Sequence, residues 1–473
     1  MPHPIHFPGQ MQSFRDSLGG VQDIARGLIG KGAEFDTPIG RKKLVYADYV
    51  ASGRALRQVE EFILTEVLPF YANSHTEASH CGAHVTRLRR EARQAIATAC
   101  GAGPDHAVIF AGSGATAGLN RLVALLGVGP GTRVVIGPYE HHSNILPWRE
   151  SGAEVVELGE APTGGPDLGD LHRALNGAGR VVVSLSAASN VTGILSDVEA
   201  ITRIVKAHGA LMVWDYAGGG PYLPIAMTPA PDAAIDAIVT SPHKFPGGPG
   251  ASGVLILRRD AAVATKPTWP GGGTVRYVSP TAHDYLPGLE AREEAGTPNV
   301  LGDIRAGLAF VVKDAIGIDH QLARNAELAA QGLAALSAIP GVQVLGLPDA
   351  PRLPIFSIRI RQGQDHLNPQ LAARMLSDHF GIQARGGCAC AGPYGHRLLG
   401  VSDAESEALR AEILSGNDSV KPGFLRFNLS VLMSEAEVAY ILQSIGRLSE
   451  RAEELAAGYA MDHDTAMFQA KAA

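Results

Sequence analysis

Between residues 107 and 257 the chain repeats one pattern: a short run rich in Val and Ile, then a segment with helical spacing. The runs are Ala107 to Phe110, Arg133 to Ile136, Val155 to Leu158, Arg180 to Leu185, Leu211 to Asp215, Ala237 to Thr240 and Val254 to Leu257. Short strands that are mostly apolar on both sides belong to a parallel sheet covered by helices on both faces. Ligands of such sheets bind outside the carboxyl ends of the strands. The residues just after each run are therefore the ones that carry information about function.

With 473 residues the chain is too long for one simple domain, and a hydrophobic content of 45% supports a large core. Net charge is −7, the pI is near 6.2 and no block of Lys or Arg stands out, which argues against nucleic acid or an acidic membrane as partner. Four cysteines make no disulfide framework, and neither Cys81 with Cys100 nor Cys388 with Cys390 has zinc-type spacing, so no metal is expected. The N-terminus lacks the basic and apolar regions of a signal peptide, and no run of about 18 apolar residues predicts a membrane span. A cytoplasmic protein is the default expectation.

The pattern divides the chain into four parts. Residues 1–45 read as an N-terminal arm that joins a small domain. Residues 46–305 hold the strand–helix repeat. Residues 306–458 form a smaller α+β domain: a long helix from Ile318, an alternating strand from Pro354 to Ile360, and a helix capped by Asn368 with Pro369 at its first position. A strand from Phe424 to Ser430 and a last helix opened by the capping box Ser434-Glu-Ala-Glu437 complete it. Residues 459–473 read as a loosely held tail.

The loop Ser241-Pro-His-Lys-Phe-Pro-Gly-Gly-Pro-Gly250 lies between two strand runs. A Lys held between buried strands loses solvation, which lowers its pKa and makes its amine a nucleophile towards a carbonyl substrate or pyridoxal phosphate. The plain alternative is a surface Lys. Phe110-Ala-Gly-Ser-Gly-Ala-Thr116 follows a strand and opens a helix, so the free N–H groups around Gly114, Ala115 and Thr116 suit a phosphate. A dinucleotide fingerprint is off by one in spacing and lies a hundred residues into the chain. Asp215 ends a buried strand and needs a partner, either a helix start or the N–H of a pyridinium ring.

His141, beside His142, is placed to stack on an aromatic cofactor or to serve the structure. Asn190 is placed to donate to a phenolate oxygen or to shape a turn. Ser241 and His243 can add phosphate contacts. Arg426 alternates with Leu425, Phe427 and Leu429, which suits either a carboxylate clamp or a surface position. Arg385-Gly-Gly-Cys388-Ala-Cys390 is a small-residue loop in which two thiols are available for chemistry or simply packed.

Together, Ser241-Pro-His-Lys244, Glu140-His-His-Ser-Asn144, Ser189-Asn-Val191 and Gly296-Thr-Pro-Asn299 resemble, in order, the motifs of class V, fold-type I pyridoxal phosphate enzymes. The likeness is greatest to group II cysteine desulfurases and selenocysteine lyases, over about residues 44–447. It implies a mainly parallel seven-stranded sheet in a large α/β domain plus a smaller α+β domain. It further implies that Lys244 is the Schiff-base residue, Asp215 pairs the ring nitrogen and His141 stacks on the ring. Thr116, Ser241 and His243 then hold the phosphate, joined by Thr297 from the other subunit of a homodimer with shared active sites. Cys390 takes the place of the sulfur-accepting nucleophile, Cys388 replaces a His, and Arg385 and Arg426 meet the substrate carboxylate.

The chain departs from the family in having Asp215-Tyr-Ala-Gly218 where a Gln is usual, and Thr116-Ala-Gly118 where Thr-Glu is usual. The expected function is a lyase that takes sulfur from L-cysteine through a persulfide, gives alanine and passes sulfur to an acceptor protein. A class V aminotransferase, epimerase or β-eliminating lyase on another amino acid is the alternative. A non-catalytic scaffold or sulfur-carrier partner is the remote one.

Overall fold

The computed structural model describes residues 5–74, 77–177, 179–462 and 467–471. Seven strands form the central sheet: β1 (His106–Gly112), β2 (Thr132–Ile136), β3 (Glu154–Glu157), β4 (Arg180–Ser186), β5 (Leu211–Asp215), β6 (Ala237–Thr240) and β7 (Gly253–Arg258). Their order across the sheet is β1-β7-β6-β5-β4-β2-β3. All pairs are parallel except those of β7, which runs antiparallel to both β1 and β6. The sequence pattern places every one of these strands within two residues at each end.

Both faces of the sheet are covered, which is why its inner strands are mostly apolar, while the edge strand β3 begins and ends on an exposed Glu. One face carries Leu119, Leu122 and Leu125 of the helix Gly114–Leu125, with Val134, Val182, Val239 and Leu255 beneath them. The other packs Val183, Trp214, Ile238 and Ile256 into a core shared with the helices His80–Ala99 and Val300–Ile316. Those two helices cross closely, because Gly307 leaves room for Ala92: a Cβ at 307 would lie 2.6 Å from the Ala92 Cβ.

The second core belongs to an antiparallel sheet of Val342–Val344, Ile355–Gln362, Phe424–Asn428 and Arg385–Gly387, in that order, with Asp365–His366 added beside Ile355–Gln362. Helices Pro369–Phe380 and Glu435–Glu450 bury Leu371, Met375, Leu376, Val438, Ile441 and Ile445 against it. Asn368 caps the first and left-handed Gly381 ends it, and Ser434 with Glu437 forms the capping box of the second.

Two expectations on the termini are corrected. The N-terminal arm does not join the small unit as a whole: its helix Gly9–Ser17 buries Met11 and Phe14 in the core of the large one. Its apolar stripe finds the open flank of the helices around residues 80–99 and 300–316. Only the later part, Val45–Tyr46, pairs with Ile382–Gln383 of the small unit. Residues 1–4 lie outside the described residues. The tail is not loose either. Tyr459–Asp462 pairs with Met467–Ala470 as a hairpin, and buried Tyr459 donates its hydroxyl to Asp378 Oδ2 at 3.1 Å. Residues 463–466 and 472–473 of that stretch are outside the described set. Among the described residues no helix is long and apolar enough to cross a membrane.

Candidate active site

A cavity of about 230 Å³ opens at the carboxyl edge of the central sheet. Its wall brings together Gly114, Ala115, Thr116, His141, Asn190, Asp215, Ser241, His243, Lys244, Arg385, Cys390 and Arg426. Those twelve residues come from seven separate stretches of sequence. Two expected members are elsewhere. Cys388 is half-buried and is not part of the wall. Thr297 lines a second cleft with Trp269, above the ion pairs of Arg89 with Glu294 and Asp303.

Lys244 ends a short 3-10 turn that follows β6. Burial is the main reason its pKa falls to about 8, and Asp215 partly opposes that fall. Asp215 terminates β5 and is itself fully enclosed, so burial raises its pKa. Its one side-chain hydrogen bond is accepted from Ala217 N–H at 2.7 Å. This carboxylate does cap the next turn, yet it also keeps a face towards the cavity. The turn beyond it is fixed from beneath by Lys313, whose buried ammonium donates to Gly220 O at 2.7 Å and to Leu223 O, close to the Phe245 ring.

The turn before the helix at Gly114 is built for an anion. Gly114 takes φ +62°, and a Cβ there would lie 2.9 Å from Ser241 Oγ and 3.1 Å from His243 Cε1. Only glycine leaves that space open. Ala115 N–H donates to Ser241 Oγ at 2.9 Å, which ties the turn to the Lys244 loop. Thr116 Oγ1 and Ser143 Oγ lie 2.7 Å apart on the same rim. His243 is held neutral, its pKa lowered to about 4 by burial and by Lys244.

His141 is likewise neutral, with its pKa lowered to about 4 chiefly by burial. Ser143 N–H donates to His141 Nδ1 at 3.1 Å, so the ring proton sits on Nε2. The segment is anchored by Glu140, a buried carboxylate that accepts from Ser186 N at 2.8 Å, Ser186 Oγ at 2.6 Å and Asn144 Nδ2 at 2.5 Å. Burial raises the Glu140 pKa to about 7 in spite of these donors. Asn144 also accepts from Trp148 Nε1 and Ser184 Oγ. In the Glu140-His-His-Ser-Asn144 motif the outer two residues thus hold the loop, while His141 faces the site.

Arg426 is 4% exposed, so it is no surface residue. It donates to Asp48 Oδ1 at 3.1 Å and to Asn190 O at 3.0 Å, and its Nε has no partner. Arg385 Nε meets the other Asp48 oxygen at 3.1 Å, its side chain half exposed. Two guanidiniums share one carboxylate, which leaves one positive charge over for a ligand carboxylate. Asp48 and Ser186 escape sequence reasoning, and Glu140 and Ser143 enter it only as motif positions without a role. Asp48 lies 337 and 378 residues from its two arginines, and no local pattern announces such a pair.

The Cys loop closes the cavity mouth. Ala389 and Cys390 both adopt positive φ, +53° and +54°. Asn190 Nδ2 donates to Ala389 O at 2.8 Å, His142 N–H to Cys390 O at 2.8 Å, and Gly392 N–H to His142 Nε2 at 2.9 Å. Asn190 Oδ1 is buried without a partner. Gly218, where the family usually has a Gln, lines the cavity, and a Cβ there would lie 3.3 Å from Ala188 O and 3.6 Å from the Asn190 Cβ.

The sequence profile of the aminotransferase class-V family matches residues 45–441. The chain belongs to the aminotransferase class-V family. Class-V relatives include a cysteine desulfurase of Klebsiella pneumoniae, 30% identical over 371 residues, which cover 75% of this chain and 86% of that protein. A protein of Halalkalibacterium halodurans named "Probable cysteine desulfurase" is 29% identical over 366 residues, covering 76% of this chain and 87% of the relative. The fold matches that of a solved cysteine desulfurase from Thermococcus onnurineus NA1, with a TM-score of 0.71 at 24% identity, over 86% of this chain and 95% of that one. The class-V assignment makes this a pyridoxal phosphate-dependent enzyme family member, resembling cysteine desulfurases, and agrees with the expectation drawn from Lys244 and its neighbours.

The site fits that cofactor. The glycine-walled anion turn and the enclosed Asp215 carboxylate offer, in turn, a phosphate seat and a partner for a ring N–H. Asn190, expected to donate to a phenolate oxygen, instead gives its Nδ2 to Ala389 O and leaves only the acceptor Oδ1 without a partner.

Proposed function

We propose that this enzyme is a cysteine desulfurase that holds pyridoxal phosphate and uses Cys390 to take sulfur from L-cysteine. The observation that carries the reading is that Cys390, Arg385 and Arg426 open onto the same cavity as Lys244 and Asp215. The names of its relatives support the same activity.

Residues around Gly114, with Thr116, Ser241 and His243, would hold the cofactor's phosphate, and Asp215 would keep its ring nitrogen protonated. When bound, the cofactor supplies an electron sink for charge developed at the substrate Cα. Lys244, its pKa lowered towards neutrality by burial, takes the proton from Cα and returns it during product formation. Arg385 and Arg426 fix the substrate carboxylate, so that the substrate sulfur meets Cys390 at the cavity mouth. The Cys390 thiolate attacks that sulfur. An S–S bond forms, the C–S bond breaks, and the electron pair stays with the carbon skeleton, which is protonated to alanine. Sulfur remains as a Cys390 persulfide until a sulfur acceptor takes it.

The enzyme would act as a homodimer with shared sites. Thr297 is off the wall of its own Lys244 cavity, in the adjoining cleft that shares Ser113 with it and holds exposed Trp269, and a second copy would bring it to the phosphate seat of the partner. A cytoplasmic location completes the reading.

The second reading, a class V enzyme acting on another amino acid, draws on Gly218. Without the usual Gln, the ring's oxygen side is left to Asn190, which is committed to the Cys loop. The deciding experiment is product identity with L-cysteine. Wild type should give alanine and a persulfide, and Cys390→Ala should lose sulfide release while keeping the absorbance of bound cofactor. Desulfuration at the wild-type rate in Cys390→Ala would remove Cys390 from the mechanism. Pyruvate in place of alanine would favour the second reading.

A further inference from the structure

Among the described residues, Ala389 and Cys390 are the only ones other than glycine with positive φ. Left-handed backbone is unfavourable for a residue with a Cβ, and two in succession persist only where their surroundings hold them. Resting on the desulfurase reading, we propose that His142 is a positioning residue for Cys390: its imidazole keeps the Cys loop bent, so that the thiol stays at the cavity mouth.

His142 grips the loop on both sides of Ala391. Its N–H donates to Cys390 O at 2.8 Å, and its Nε2 accepts from Gly392 N–H at 2.9 Å. An accepting Nε2 carries no proton, so the neutral ring has its proton on Nδ1. Burial, assisted by Arg149, lowers the His142 pKa and favours that neutral form. The His142 side chain stands off the cavity wall, although its neighbours His141 and Ser143 belong to it. A change of this side chain therefore reaches the reaction through the loop and not through the cofactor seat.

The two ends of the loop belong to different cores. Before it, Arg385–Gly387 pairs with Phe424, Leu425 and Arg426 of the small sheet. After it, the helix Gly392–Leu399 rests on the segment that leads into His142. The Tyr394 and Tyr139 rings meet edge to face with centroids 4.9 Å apart, and Arg397 donates to Pro138 O. Asn190 holds Ala389 O in between. The imidazole joins the helix start to the backbone of Cys390. Without its acceptor Gly392 N–H loses a partner, and the left-handed pair is free to relax. A shift of about 1 Å at a reacting group can cost on the order of 100-fold in rate. The effect belongs in kcat, because the groups that bind cofactor and substrate carboxylate are untouched.

Three variants separate the acceptor from the ring. A Gln oxygen lies as many bonds from its Cβ as Nε2 does, an Asn oxygen stops one bond short, and Phe keeps a ring with no acceptor. In cofactor-loaded enzyme, His142→Asn and His142→Phe should lower kcat for alanine formation by about 10-fold to 100-fold. KM for L-cysteine and the absorbance of bound cofactor should stay as in wild type. His142→Gln should recover most of the rate. Hydrogen exchange of the peptide spanning residues 388–395 should quicken in His142→Asn and His142→Phe and not in His142→Gln. Wild-type kcat in the Asn and Phe variants would overturn the proposal and leave the desulfurase reading standing. So would a His142→Gln rate as low as that of His142→Phe, or exchange that is the same in all four proteins. Loss of cofactor absorbance in one of the two acceptor-free variants marks it as misfolded and leaves the decision to the other. Its loss in both would overturn the proposal, since His142 would then serve the cofactor seat. No alanine from wild type would overturn both readings.

Discussion

At the scale of single residues, the site is defined by which charges are enclosed. Lys244 has a pKa of about 8 because burial penalises its charged form. Its neutral fraction at pH 7 is on the order of one in ten, against roughly one in 2,500 for an ordinary Lys near 10.4. The neutral amine is the reactive form, so uptake of pyridoxal phosphate by cofactor-free protein should speed up as pH rises and level off above about pH 8. Stopped-flow absorbance between pH 6 and 11 would show an inflection near 8, whereas a rate still rising at pH 10 would mean an exposed Lys244.

The two arginines predict opposite outcomes. Asp48→Ala leaves the enclosed Arg426 without its counter-charge and should destabilise the fold by about 3–5 kcal/mol, read from a denaturant midpoint. Arg385→Ala removes a half-exposed partner, should change stability by less than about 1 kcal/mol, and should raise KM for L-cysteine. Lys244 and Asp215 were legible in the sequence because strand ends announce themselves locally. Asp48 was not, since its role exists only once the chain ends of two cores meet.

At the scale of elements, most boundaries were legible, and for identifiable reasons. Apolar runs marked the seven strands of the large sheet. Asn368-Pro369 and Ser434 to Glu437 marked helix starts that the structure places within a residue. Direction was harder to see. β7 is apolar like its parallel neighbours, and nothing in Val254 to Leu257 says that it runs the other way. The twelve-residue connection after Thr240 holds only a 3-10 turn and no α-helix of the kind that usually carries the chain back for a parallel return. The terminal hairpin was missed because its strands are short and polar on one side. The turn at Gly114 offers the sharpest test of an element. Gly114→Ala would place a methyl group against Ser241 Oγ and His243 in a left-handed conformation. Cofactor affinity should fall at least tenfold, equivalent to about 1.4 kcal/mol, in a titration followed by absorbance, with the circular dichroism of the fold retained.

At the scale of the whole molecule, the cavity lies where two hydrophobic cores meet: the central sheet carries Lys244 and Asp215, and the small sheet carries Arg385 and Arg426. The proposed dimer predicts a second boundary. Trp269, on the wall of the Thr297 cleft, is 69% exposed, an apolar side chain suited to a partner copy, and Tyr277 and Val278 are exposed as well. Light scattering should report two chains, and Trp269→Glu should shift the equilibrium to one while weakening cofactor retention. A monomer of full cofactor affinity would remove Thr297 from the phosphate seat.

The reversed strand β7 also sets an order of events in folding. The phosphate turn depends on Ser241, 126 residues further along, and Gly253 at the start of β7 packs directly against Gly114. Such long-range pairing is slow to form, because chain closure must precede any gain from contact. A growing chain cannot hold the cofactor until β7 has been synthesised and threaded between β1 and β6. Cofactor capture should then be a late phase in refolding, after most helical signal has returned, and the bound cofactor would stabilise only molecules whose central sheet is complete.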